Sequence, residues 1–313
     1  MRAFRSDIGH DAPPPPHSTP VTCSGGIRLI CAALVALALA APDAAQRPGA
    51  SESLAQTLAR VGQRVEQWYA RAQSVVSTET VWIQPLRSDL TPADFPRRLV
   101  FELRVGWDPD HTGPAGIPVA NVLREPVSLN GRSSPDREGA GCMDPKLVSP
   151  EPLAMLLPAR LGESEFSAAG VARVDGRPAL TIDYRGRPAA PPEIIWTDAC
   201  VSVTLPGRSR GRIWVDAATY DVLRLDDRLV GTFEFDVPRE HVRRSAARSM
   251  VIERAESSIR YKRVEFQDPA ETLMLPAAID TLTVIRGGGI QRVRITQRFS
   301  DHRRFLTGGR LVN

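Results

Sequence analysis

Cysteine is scarce in these 313 residues, lysine is nearly absent, and the signatures of nucleotide, metal and covalent chemistry are missing. No phosphate loop, dinucleotide fingerprint or EF-hand loop occurs, which removes the enzyme and sensor classes built on them. Beyond the first 45 or so residues the histidines, His111, His241 and His302, stand alone, with no His-Glu-x-x-His or facial-triad spacing, so neither a metal nor a cofactor is expected. His302 follows Asp301 and precedes Arg303-Arg304, which reads as a solvated strand end. The 40 basic residues, nearly all arginine, face 36 acidic ones and are interspersed with them. Despite a pI near 9.1 this is a mixed solvated surface, and no nucleic-acid partner is implied.

What is present begins with an apolar run, Leu29 to Ala41, behind Arg28 and ending in small residues. It is shorter than the ~20 apolar residues of a membrane span and has the layout of a secretory signal. Residues 1 to 45 are therefore set apart as a leader, removed or disordered, whether translation starts downstream of Met1 or a proline-rich segment precedes the signal. A lipid anchor is disfavoured, because Cys31 opens the apolar run and Cys23 precedes it. The expected location is periplasmic or secreted, with no membrane span after signal removal.

The remaining stretch, 46–313, is of ordinary globular composition and is read as a single β-rich domain. It retains two cysteines, Cys142 and Cys200. In an exported chain such a pair reads as a disulfide, contributing roughly 4 kcal/mol in the chain-entropy model; the alternative is two thiols in separate core sites.

One long helix opens this domain. Leu54, Leu58, Val61, Val65, Trp68 and Ala72 recur at steps of three and four, and Ser53 with Gln56 has capping-box spacing. Strands follow. Leu99, Phe101, Leu103, Val105 and Trp107 alternate with charged residues, as do Val293, Ile295 and Phe299 near the far end. Turn residues at Asp175-Gly176, Ala217-Ala218-Thr219 and Gly287-Gly288-Gly289 mark hairpins. Proline and glycine collect at about 108–162, an irregular insertion with one strand near Val119 to Leu129. The fold class is α+β, mostly β: a curved antiparallel sheet, an incomplete barrel, wrapping the N-terminal helix.

Helix, long antiparallel strands and the local match Gly211-Arg-Ile-Trp-Val-Asp216 with Thr219-Tyr-Asp-Val-Leu-Arg224 resemble the LolA/LolB-like lipoprotein-carrier superfamily, over 51–107 and 163–306. The resemblance implies a non-catalytic protein that shelters an apolar ligand, such as an acyl chain, a lipid or a lipidated peptide, in a concave sheet. The groove residues implied are Leu99, Phe101, Leu103, Val105 and Trp107, opposite Val61, Val65 and Trp68. Leu153, Met155, Leu156 and Leu157 lie between prolines and read equally as a lid over the groove or a fixed plug. The competing reading is a structural or interaction module of the envelope, with a filled core and an envelope-protein partner.

An enzyme alternative rests on Gly207-Arg-Ser-Arg-Gly211, which matches a nucleophile elbow centred on Ser209. The elbow needs a helix after the serine, whereas Ile213-Trp214-Val215 continues as a strand, so no catalytic residue is assigned. The carboxylates of Asp226 and Asp227, neighbours on a strand, are expected on opposite faces. Of the cysteine pair we expect non-reducing peptide mapping of exported material to recover the Cys142 and Cys200 peptides as one linked species. Recovery of both as free alkylated thiols refutes the bond.

Overall fold

The capping box forms as its spacing predicts. Ser53 Oγ accepts from the Gln56 backbone N–H at 3.3 Å, and Gln56 Oε1 accepts from the Ser53 N–H at 3.0 Å, starting α1 (Leu54–Arg71). The helix buries Leu58, Val61, Val65 and Tyr69, with Ala72 just past its end. Trp68, on the edge of that stripe, stays half-buried; its indole N–H needs a partner and donates to the Met274 carbonyl.

The computed structural model describes residues 52–72, 75–112, 118–133, 145–149, 151–188, 190–196, 201–242, 248–267, 270–287 and 291–304. The leader, Cys142 and Cys200 lie outside them, as do the side chains of 107–120, so Trp107 is placed by its backbone alone.

The described residues form fourteen strands: β1 (Val75–Pro85), β2 (Arg97–Thr112), β3 (Pro118–Leu129), β4 (Arg132–Ser133), β5 (Ser164–Val174), β6 (Arg177–Gly186), β7 (Glu193–Trp196), β8 (Val201–Thr204), β9 (Ser209–Asp216), β10 (Val222–Leu229), β11 (Phe233–Asp236), β12 (Ser249–Gln267), β13 (Ala270–Arg286) and β14 (Gln291–Arg304). Twelve form one antiparallel sheet in the order β4-β3-β2-β1-β14-β13-β12-β10-β9-β6-β5, with β11 alongside β12, while β7 and β8 pair separately. The sheet is curved, wraps α1 and does not close into a barrel; β4 and β5 are its ends.

The predicted hairpins are present. Asp175 and Gly176 both take positive φ, 48° and 79°, the conformation that a tight turn between β5 and β6 needs. The region read as an irregular insertion contains the strand expected near Val119 to Leu129, and the outer end of β2 besides. Its first portion is sheet, since β3 pairs with β2 from Leu129 against Leu99 to Ala120 against Trp107. Pro126 sits at a shift of register, where a strand tolerates a missing N–H. Its last portion is two short 3-10 helices, Glu151–Leu156 and Pro158–Glu163.

A row of opposed residues crosses the helix-bearing face: Ile182, Ile213, Leu225, Ile259 and Ile279, none more than 2% exposed. It continues through Gln297 and Val81 to Leu99. Beside it Glu79 is fully buried, held by Arg124 Nε at 2.7 Å and Gln297 Nε2 at 2.6 Å. The β9–β10 hairpin anchors the helix from the other side. Asp216 Oδ1 accepts from the Ala218 and Thr219 N–H groups at 2.9 and 2.8 Å, and Asp221 takes Arg64 of α1 at 2.7 Å. Burial opposes ionisation of Asp216, but these N–H groups and Arg177 hold its carboxyl below the usual range.

Phe101 is 2% exposed while Glu102 on the opposite face pairs with Arg104 and Arg303. Phe101→Asp should therefore cost about 3–5 kcal/mol, against about 0–1 for Glu102→Gln, in chemical denaturation. Equal losses would mean that the assigned register of β2 is wrong.

Candidate binding site on the helix-bearing face

Of the residues expected to form a groove, those with described side chains fall into two groups on the helix-bearing face. Val61 and Val65 of α1 share one apolar cluster with Leu103, Val105, Leu153 and Leu156, and Trp68, Met155 and Leu157 pack against it, partly buried. Leu99 and Phe101 belong to a second cluster around Val81. Leu156 is fully buried, and α1 approaches its segment so closely that a Cβ on Gly62 would lie 2.9 Å from the Leu156 carbonyl oxygen. The space left among Trp68, Leu103, Val105, Val148, Phe299 and His302 is ≈ 30 Å³, room for a water or two. This half of the face is filled by its own side chains.

Further along the same face the sheet is not covered by α1. A cavity of ≈ 360 Å³ lies over β9, β10, β12, β13 and β14, with Leu229, Ile252 and Ile295 among its apolar walls and Leu147, Val203 and Leu205 at its border. Its floor differs from the aliphatic row. Two residues further along the strands, the opposed positions are Tyr184, Gly211, Asp227, Ser257 and Thr281.

At this row Tyr184 Oη donates to Asp227 Oδ1 at 2.5 Å, and Ser209 also bonds Asp227. Burial pushes the Asp227 carboxyl up from the usual carboxylate range, against the lowering effect of both hydroxyls. Burial, and then the Asp227 charge, push the Tyr184 phenol far above its usual value. Gly211 is required where Tyr184 and β10 crowd together, since a Cβ there would fall 1.8 Å from the Asp226 carbonyl oxygen. Asp226, as expected of a strand neighbour, faces the other way, with Arg224 at 2.7 Å. Asp227 and Tyr184 escaped the sequence reading because register alone, across three strands, brings them together.

Chemically the arrangement is amphiphilic: Leu229, Ile252 and Ile295 share the space with Ser257, Thr281 and Gln297, and Arg208, Glu256 and Asp227 bring charged or accepting groups to it. Ser209 opens β9 after a turn at Gly207, with no helix following, so the strand-to-helix geometry of a nucleophile elbow is absent. Among the described residues no group of three or more His, Cys, Asp or Glu is placed to hold a metal ion, and no helix is long and apolar enough to cross a membrane.

No protein-family model matches the sequence, and no curated protein matches it. Among solved structures the chain is similar to a DUF1329 family protein from Desulfovibrio piger, at 10% identity and a TM-score of 0.42 over 83% of this chain and 96% of that one. It is similar also to the LolA superfamily protein NE2245 from Nitrosomonas europaea, at 8% identity and a TM-score of 0.34 over 80% and 94%. A third, an outer membrane lipoprotein-sorting protein domain from Vibrio parahaemolyticus, is 10% identical with a TM-score of 0.32 over 80% and 94%. The superfamily that the hairpin motif resembles is thus represented among the similar structures.

His302, expected at a solvated strand end, instead borders the filled half of the face. Burial, and then the Lys262 charge, push its imidazole down from 6.5 to about 4, against the bond to the Pro276 backbone and the charge of Asp301. The unfolded chain therefore takes up this proton before the folded one does. The stabilisation from the neutral ring is complete above pH 6.5 and is lost as pH falls through about 4. Melting temperatures between pH 7 and 4 should fall less steeply for His302→Gln than for wild type; parallel slopes would assign the acid sensitivity elsewhere.

Proposed function

We propose that the protein is an exported, non-catalytic binding protein of the cell envelope that shelters an amphiphilic ligand, such as a lipid or lipidated peptide, in the open half of its helix-bearing face. The observation that carries this reading is the contrast between the two halves: one closed down to ≈ 30 Å³, the other open to ≈ 360 Å³. The larger volume falls in the range of small-molecule sites, about 300–1,000 Å³. An acyl segment along Leu229, Ile252 and Ile295 gains about 0.8 kcal/mol per buried methylene. A hydroxyl or amine at its end would donate to Asp227, whose acceptor capacity is only partly used by Tyr184 and Ser209. Leu153, Met155, Leu156 and Leu157 then act as the plug that defines the inner end of the site, and the two cysteines as a staple of the proline-rich segment.

A second reading, an interaction module with an envelope-protein partner, draws on the filled half, which needs no ligand to be stable. Leu229→Glu, at a half-buried position of the wall, should weaken binding of a fluorescent acyl probe at least tenfold while melting closer to wild type than a substitution in the buried plug does. Leu156→Ser with Leu157→Ser should lower stability by about 2–5 kcal/mol instead. If wild-type protein binds no such probe, and extraction of periplasmic material yields no lipid by mass spectrometry, the interaction module takes the place of the carrier reading.

A further inference from the structure

The arginines that look scattered along the sequence are not scattered on the sheet. On the outer face, opposite to α1, the register sets Arg185 of β6 against Arg210 of β9, and Arg210 against Arg228 of β10. All three are exposed. Opposed residues of antiparallel strands hold their Cβ atoms about 4.5–5.5 Å apart, and like charges at such positions are destabilising. Every nearby carboxylate is already engaged by another arginine. Asp183 takes Arg212 at 2.6 and 2.9 Å, and Asp226 takes Arg224 twice at 2.7 Å. At the two ends of the row, Glu256 pairs with Arg254 at 2.6 Å and Glu165 with Arg187 at 3.4 Å. Among the described residues none of the three guanidinium groups has an ion pair or a hydrogen bond.

We propose that Arg185, Arg210 and Arg228 form a binding site for a phosphate monoester group, whether free in solution or carried on a lipid headgroup. Three arginines at directly opposed positions bring three guanidinium forks within reach of one ligand, and each fork carries the paired N–H donors that oxyanions of phosphate type accept bidentately. A single carboxylate would leave most of the three charges uncompensated, whereas a dianion with three terminal oxygens can take bonds from each. The surrounding acids limit the size of the ligand. Asp183 and Asp226 flank the row along the strands, and Glu165 and Glu256 close its ends, so an extended polyanion meets repulsion just beyond three residues' width. A broad depression of ≈ 770 Å³ includes Arg210 and Arg228 and leaves the row accessible. A locally unfavourable arrangement of this kind is what a functional position carries. The site lies on the opposite face from the cavity near Asp227 and stands whether or not that cavity binds an amphiphile.

The test uses the exported protein with two probes at physiological ionic strength: inorganic phosphate by calorimetry, and sedimentation with phosphatidylcholine vesicles containing phosphatidic acid. Binding of phosphate without vesicle binding assigns a soluble ligand; vesicle binding that exceeds that to vesicles with phosphatidylglycerol, a diester, assigns the headgroup. In either case Arg210→Gln should weaken binding at least tenfold without lowering the melting temperature, since it relieves repulsion. Arg263→Gln, remote from the row, should bind as wild type does. Absence of binding to both probes, or equal losses in the two variants, overturns the proposal.

Discussion

One amphipathic helix has to cover one face of a very large sheet, and the two do not match in area. At 1.5 Å per residue α1 is about 27 Å long, while the eleven strands that lie side by side, spaced about 4.8 Å apart, extend nearly twice as far. Covering the excess falls to the short 3-10 helices Glu151–Leu156 and Pro158–Glu163, the first of which wedges Leu153 and Leu156 beside α1. Neither continues the apolar row to the end of the face. The division into a filled half and an open half follows from this shortfall, and so does the change of floor from isoleucine and leucine to Tyr184, Asp227, Ser257 and Thr281. Polar residues are tolerable there because they bond one another or border open space.

Inside the filled half, the buried Glu79 with Arg124 and Gln297 is the exception to an apolar rule. Such a group gains little net stability over packed hydrocarbon, because desolvation offsets the attraction. Its geometry nevertheless discriminates between registers. Glu79, Arg124 and Gln297 come from β1, β3 and β14, so a slip of one residue in any of these strands would bury an unpaired charge. The Asp216 turn acts similarly on the β9–β10 pair and, through Asp221 and Arg64, on the position of α1.

Local features were legible in the sequence, and those set by pairing were not. Ser53 and Gln56 announce a helix start, Asp175-Gly176 a tight turn, and Leu99 to Val105 a one-sided strand, because each depends on neighbours a few residues away. The superfamily resemblance rested on the same kind of signal, the hairpin around Asp216. The division of the apolar residues into two clusters, with Leu99 and Phe101 apart from Val61 and Val65, depends on where β2 meets β1. The Tyr184–Asp227 contact and the arginine row need three strands in register. Spread along the chain, Arg185, Arg210 and Arg228 read as ordinary surface composition; only the sheet reveals them as neighbours.

The strand that follows α1 lies mid-sheet, with β2 on one side and β14 on the other, Val75 opposing Arg304. The two are joined across most of the molecule's length, so this pairing is among the most non-local contacts that the chain can make. Contacts of that kind form late and slowly, since a long loop must close before they contribute. Until β14 has been synthesised β1 has an open edge and the sheet lacks its centre. A chain emerging from the ribosome is thereby kept from completing its fold until β14 has emerged.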